Sequence, residues 1–198
     1  MRKSVFETGG VIVRVIAGKA KGHRLEPVPG KGTRPITDRA KEALFGVIGN
    51  DIIGCRFLDL FAGTGQVGIE ALSRGAVEAV FVERARPALR TIRENLALTQ
   101  LEAEARVVPA DVFDFLPLIV KPTDVFEYVF IAPPQYQGLW VRTLRALDAH
   151  PGWLADDAWV IAQIHPREYE DLELEHLMLF DQRTYGRVML CFYIRVLD

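Results

Sequence analysis

The stretch FLDLFAGTGQVGIEAL, residues 57–72, limits what this chain can become more than any other. An apolar run of strand length ends in Gly63, Gly65 and Gly68, spaced G-x-G-x-x-G, and leads into a helical pattern that Gly75 stops. A strand that turns through glycines into a helix lets backbone approach a ligand at the carboxyl end of a parallel strand. The spacing is usual for a dinucleotide. Glu83 stands 20 residues beyond Gly63, where an acidic side chain can grip ribose hydroxyls.

The rest of the chain repeats the alternation of strand and helix, which predicts a mainly parallel sheet covered on both faces. AVEAVFVER, ARVVPAD, FEYVFIAPP and AWVIAQIH read as further strands. TDRAKEALFGVIG reads as a helix with Thr37 or Asp38 as its N-cap, RPALRTIRENLALT as one with Pro87 in its first turn, and GLWVRTLRALDA as a third. The tail MLFDQRTYGRVMLCFYIRVL is two extended runs about a Tyr-Gly turn, an antiparallel hairpin for the sheet edge. Ahead of the core, VIVRVIAG and HRLEPVP are two short strands around a Gly-Lys turn.

With 198 residues, 49% hydrophobic, the chain suits one domain. Cys55 and Cys191 lack ligand spacing, so neither zinc nor a disulfide framework is expected. MRKSVFETGG carries no apolar signal stretch, and a cytoplasmic chain without membrane or metal partners is expected. Through residue 41, ten Lys and Arg face three Asp and Glu, a local charge of +7 that leaves −9 on the remainder. A cationic arm on an anionic body points to a polyanionic partner.

Asp59 bears on the choice of cofactor. A pyrophosphate at the glycine turn would be repelled by a carboxylate on the same strand, by roughly 4 kcal/mol at ~4 Å and an effective dielectric near 20. S-adenosylmethionine brings an ammonium and a sulfonium and no phosphate, so the same carboxylate attracts it. A dinucleotide oxidoreductase, or a turn with only a structural role, are the alternatives.

TRPITDRAKEALF, FLDLFAGTGQVGIEALSRGA and VFIAPPQY, with RVIAGKAKGHRL and YGRVMLCFY, resemble the RsmD-like family of 16S ribosomal RNA guanine-N2 methyltransferases over nearly the whole chain. The resemblance implies an α/β, Rossmann-like class I S-adenosylmethionine-dependent methyltransferase, with a seven-stranded, mostly parallel sheet whose last strand is antiparallel. It implies a target amine in 16S rRNA, free or in a small-subunit assembly particle. Residues 11–50 become a basic hairpin and helix extension that docks RNA, and 51–198 the methyltransferase domain.

By the same resemblance Asp59, with Phe61, Gly63, Thr64 and Gly65, would line the methionine end of the cofactor. Glu83 would hold the ribose and Arg84 flank the adenine. Asp111 would accept from the adenine amino group beside the Val112 N–H. RNA docking falls to Lys19, Lys21, His23, Arg24, Lys31, Arg34 and Arg39, with Arg34, Asp38 and Arg39 alternatively forming an ion-pair set. A monomer is expected, because a ribosomal substrate needs a free face.

The reaction centre departs from the family pattern of an acidic or amide residue, two prolines and an aromatic. Here it is Ala132-Pro133-Pro134-Gln135-Tyr136, with the aromatic one place late. A guanine amine is a poor nucleophile, and an acceptor on its N–H groups helps it attack. The carbonyls of Ala132 and Pro133 and the amide of Gln135 are the acceptors left, and Tyr136 could stack on a flipped-out base. A cofactor-binding ribosome-assembly protein with weakened or lost catalysis is the alternative. His165 and the acidic run REYEDLELEH carry less weight, as a structural or RNA-facing residue and a solvated face.

Overall fold

The computed structural model describes residues 13–30, 36–118 and 124–197. Lys31, Arg34 and the first three residues of TRPITDR, 33–35, lie outside them. A short antiparallel pair, β1 (Val13–Arg14) and β2 (Arg24–Leu25), precedes α1 (Asp38–Ile48), whose first turn is capped by the Thr37 side chain. Then follow β3 (Arg56–Leu60), α2 (Gln66–Ser73), β4 (Glu78–Glu83), α3 (Arg86–Thr99), β5 (Ala105–Pro109) and α4 (Val112–Phe115). The chain closes with β6 (Phe126–Ile131), α5 (Leu139–Ala149), β7 (Leu154–Ile164), β8 (Leu177–Tyr185) and β9 (Val188–Arg195).

Seven strands form one sheet in the order β5-β4-β3-β6-β7-β9-β8. The first five are parallel, β9 runs antiparallel to β7, and β8 antiparallel to β9. The tail is the expected hairpin, but its second strand lies inside and its first forms the edge. Strand order reverses beside β3, so the carboxyl ends of β3, β4 and β6 open a crevice where ligands bind in such sheets. In register, Asp59 of β3 lies opposite Phe130 of β6, which lies opposite Ile161 of β7.

Each face of the sheet has its own core. Phe57, Phe81, Phe130, Ile161 and Phe192 meet α1, α2, α3 and the N-terminal segment on one side. Leu58, Leu60, Val129, Ile131 and Ala162 meet α4, α5 and Trp153 on the other. Each fully buried Phe contributes roughly 1.5–3 kcal/mol, less the entropy of ordering it.

The N-terminal segment is sewn to α2 by polar bonds. Glu70 is fully buried and accepts from the Ile16 and Ala17 N–H groups at 2.8 and 3.0 Å, and from Arg74 at 2.8 Å. Lys41 is also fully buried, 3.6 Å from Glu70, and donates to the Arg14 carbonyl. Burial pushes the Lys41 ammonium below its ordinary pKa, and Glu70 works against that shift. Lys41 therefore belongs to the interior, though it counts toward the cationic arm. Gly18 is obligatory, since a Cβ there would stand 1.7 Å from the Ser73 carbonyl oxygen.

Candidate active site

At the glycine turn the three glycines have separate duties. Gly63 and Gly65 take positive φ of 57° and 75°, which bends the chain into α2. Gly68 has helical φ, but a Cβ on it would meet the Phe81 ring at 2.4 Å, so it lets α2 lie flat on the sheet. Asn95 of α3 holds the turn in place. Its amide donates to the Thr64 and Glu26 carbonyls at 2.9 and 3.1 Å, and its oxygen accepts from Glu26 N–H at 2.7 Å. One buried side chain thus couples the glycine turn to the basic arm.

Asp59 lines the crevice but is only 2% exposed, and accepts from Gly68 N–H at 3.0 Å. Burial first, and then the charge of Glu83, push its carboxyl from 3.8 to about 8, against the pull of the Gly68 bond. The standing charge expected from the sequence is therefore corrected. At neutral pH in the ligand-free chain this is largely a carboxylic acid, and a cationic ligand beside it would draw the proton off.

Glu83 ends β4 and accepts from the Gly63, Arg84 and Ala85 N–H groups at 3.0, 2.8 and 2.8 Å. It rigidifies the loop and keeps about one of its four lone-pair sites for a ligand. Asp111 caps α4 through Phe113 N–H and pairs with Arg84 at 2.8 Å, so those two side chains meet at the rim. The Val112 N–H, at the first position of α4, has no intrahelical acceptor.

Across the crevice the Ala132–Tyr136 segment leaves β6. Tyr136 is 65% exposed and sits at φ +60°, and Phe61 on the opposite wall at φ +61°. Such left-handed non-glycine residues cost on the order of 1–3 kcal/mol each and cluster at functional sites. Glu168 holds the first of them. Its carboxylate accepts from Tyr136 N–H at 2.6 Å and from His165 N–H at 3.3 Å, and the Tyr136 and His165 rings lie 5.6 Å apart. Glu168 belongs to the run expected to be a solvated face, in which Tyr169, Leu172 and Leu174 also pack on the second core.

One cavity of about 1090 Å³ joins the two walls. It exceeds the ~300–1,000 Å³ of a single drug-sized ligand, leaving room for a nucleoside cofactor and a base together. Its wall holds two groups that the sequence did not single out. The side-chain oxygens of Gln66 and Gln163 are buried there and accept no hydrogen bond. The donors and acceptors of the wall fit the expected cofactor. Asp59, Glu83 and an orphaned Gln66 oxygen make the glycine end rich in acceptors and titratable acid. That suits a cationic, hydroxyl-bearing ligand, which gains a carboxylate partner by drawing off the Asp59 proton.

Of the expected RNA-docking residues, Lys19, Lys21, His23, Arg24 and Arg39 line the surface of the N-terminal segment and the start of α1. Lys19 pairs with Glu104 at 2.6 Å, the His23 ring nitrogen lies 2.9 Å from the Ala20 carbonyl, and the Arg39 guanidinium sits 6.0 Å from the Tyr185 ring. Asp38 pairs with Arg14 at 2.8 Å. Val28 and Ile36 line the same cavity, so the N-terminal segment borders its mouth.

A seven-stranded sheet of this order, with a glycine turn at the switch point and an acid at each of the next strand ends, defines a Rossmann-like class I methyltransferase fold. The family model described as Conserved hypothetical protein 95 matches residues 13–194. The chain is 38% identical over 162 residues to the ribosomal RNA small subunit methyltransferase D of Escherichia coli K12, covering 81% of this chain and 79% of that one. To its Haemophilus influenzae namesake it is 31% identical, with 89% and 90% covered. The solved Escherichia coli chain yhhF superposes with a TM-score of 0.80 at 34% identity, covering 92% and 97%. The chain belongs to this family of RsmD-like proteins.

Proposed function

We propose that this chain transfers a methyl group from S-adenosylmethionine to the exocyclic N2 amine of a guanine in small-subunit ribosomal RNA. The observation that carries the reading is the single cavity that unites Asp59, Glu83 and the glycine turn with Ala132–Tyr136. Membership of the family supports the ribosomal RNA substrate, and the acceptor-rich glycine end supports the cofactor.

S-adenosylmethionine, when bound, supplies an electrophilic methyl. Asp59 gives up its proton and faces the cationic end as a carboxylate. Glu83 offers its remaining lone pair to ribose hydroxyls. Asp111 and the Val112 N–H offer an acceptor and a donor to the adenine edge, with Arg84 beside them. On the other wall Tyr136 stacks on the extruded base, and one of the Ala132 carbonyl, the Pro133 carbonyl and the Gln135 amide oxygen accepts an N–H of its amine. The Pro133 and Pro134 nitrogens carry no competing N–H. Positioning the amine in line with the methyl supplies much of the catalysis.

Lys19, Lys21, His23, Arg24 and Arg39 bind phosphates, joined by Lys31 and Arg34. In this role the chain acts as a cytoplasmic monomer. The test is transfer of labelled methyl from S-adenosylmethionine into unmethylated 30S particles or 16S rRNA, with mapping of the product. Labelled N2-methylguanine is expected. Cofactor binding without labelling, where an Escherichia coli relative labels the same particles, would leave an assembly protein instead.

A further inference from the structure

β6 and β7 run parallel, with Phe130 opposite Ile161 and Ile131 opposite Ala162. One step onward the same register sets Ala132 beside Gln163. Partners across a parallel ladder lie ~4.8 Å apart and project to the same face. Phe130, Ala132 and Ile161 all belong to the first core, so Gln163 shares that face and, with Ala132, lines the cavity. Ala132 presents a methyl where the family pattern has an acid or amide. Its neighbour presents a buried amide oxygen with no hydrogen-bond donor.

A buried acceptor left unpaired is costly, and one kept in a ligand cavity calls for a donor from outside the protein. Gln66, the other such group on the cavity wall, sits at the glycine turn, toward the cofactor end. Gln163 sits at the other end, on a strand rather than a loop, which fixes it more firmly than Gln135 can be.

We infer that Gln163 Oε1 is the acceptor that replaces the missing side chain at position 132, taking an N–H of the target amine. The inference rests on the proposed methyl transfer. As the carbon–nitrogen bond forms, the carbon–sulfur bond breaks with its electron pair passing to sulfur. The surplus proton on nitrogen leaves to solvent, since an amide is too weak a base to keep it. Gln163 holds its hydrogen bond to the amine through that passage and favours the pyramidal nitrogen.

The test compares wild type with Gln163→Leu, Gln163→Glu and the double variant Gln163→Leu/Ala132→Asp. Each is assayed for labelled methyl transfer into 30S particles, S-adenosylmethionine affinity and Tm. The Leu variant should lose on the order of 10²-fold in kcat, with cofactor affinity and Tm kept. The Glu variant keeps an acceptor and should retain most activity. Aspartate at 132 should restore the Leu variant. Wild-type kcat in the Leu variant, a parallel loss of Tm or cofactor affinity, or no recovery in the double variant each overturns the inference.

A readout independent of turnover uses GMP and IMP, which differ only in the exocyclic amine. GMP should shift the Gln163 side-chain amide resonance and IMP should not; equal responses, or none, overturn the assignment. An inactive wild type would instead overturn the proposed function.

Discussion

The Gly68 N–H donates to Asp59 Oδ2 at 3.0 Å, so the helix after the glycine turn is tied to the strand before it through a buried carboxyl. That carboxyl lines the crevice and links its own protonation to the stability of the fold.

Asp59 titrates near 8 in the fold against 3.8 in the unfolded chain. Between those values the folded chain holds a proton that the unfolded chain has released, so the ligand-free protein loses stability as pH rises from ~4 to ~8. Asp59→Asn should remove that dependence and raise Tm at pH 8 more than at pH 5, by thermal denaturation. It should also weaken S-adenosylmethionine binding on the order of tenfold. Calorimetry in buffers of different ionisation enthalpy should find proton release on binding at pH 7 in the wild type and none in the variant.

Glu70→Gln would leave the buried Lys41 ammonium without its counter-charge. A loss of about 3–5 kcal/mol is expected, as for other half-broken buried pairs. At roughly 2–4 °C per kcal/mol for a chain of this size, a fall in Tm of about 6–20 °C should follow. The double variant Lys41→Met/Glu70→Gln should recover much of it. An unchanged Tm in the single variant would mean that water reaches the pair.

Reversal of Lys19, Lys21 and Arg24 to Glu should weaken binding to 30S particles or 16S rRNA and leave S-adenosylmethionine affinity unchanged. The slope of log affinity against log salt should fall by about one for each phosphate that is no longer neutralised. Lys19 gives up only an exposed pair with Glu104, so Tm should move little. RNA affinity equal to wild type would remove the arm from the docking surface.

Much of the architecture was readable from the chain. The strand and helix runs of the core appear where their periodicities put them, Thr37 caps α1, Pro87 opens α3, and the tail forms a hairpin, whereas VIVRVIAG and HRLEPVP pair over only two residues each. The glycine turn and the acids at the ends of β3 and β4 were legible for the same reason, because each is set by a few adjacent residues. The buried Lys41–Glu70 pair was not, since a charge count treats every ion as solvated. Nor was the support of Tyr136 by Glu168, whose bond spans 32 residues and whose acidic neighbours suggested a solvated face.

The sequence by itself determined the order of elements, the turn and the acids that line the crevice there. These are local, dictated by backbone preference and side-chain periodicity. Only the tertiary structure decided that Asp59 is a weak acid and that Lys41 lies in the core. It alone brought Gln163 and Ala132 to the wall of one cavity. Burial and strand register are properties of the packed chain: desolvation reverses the ordinary state of a charge, and a parallel ladder makes neighbours of residues far apart in sequence.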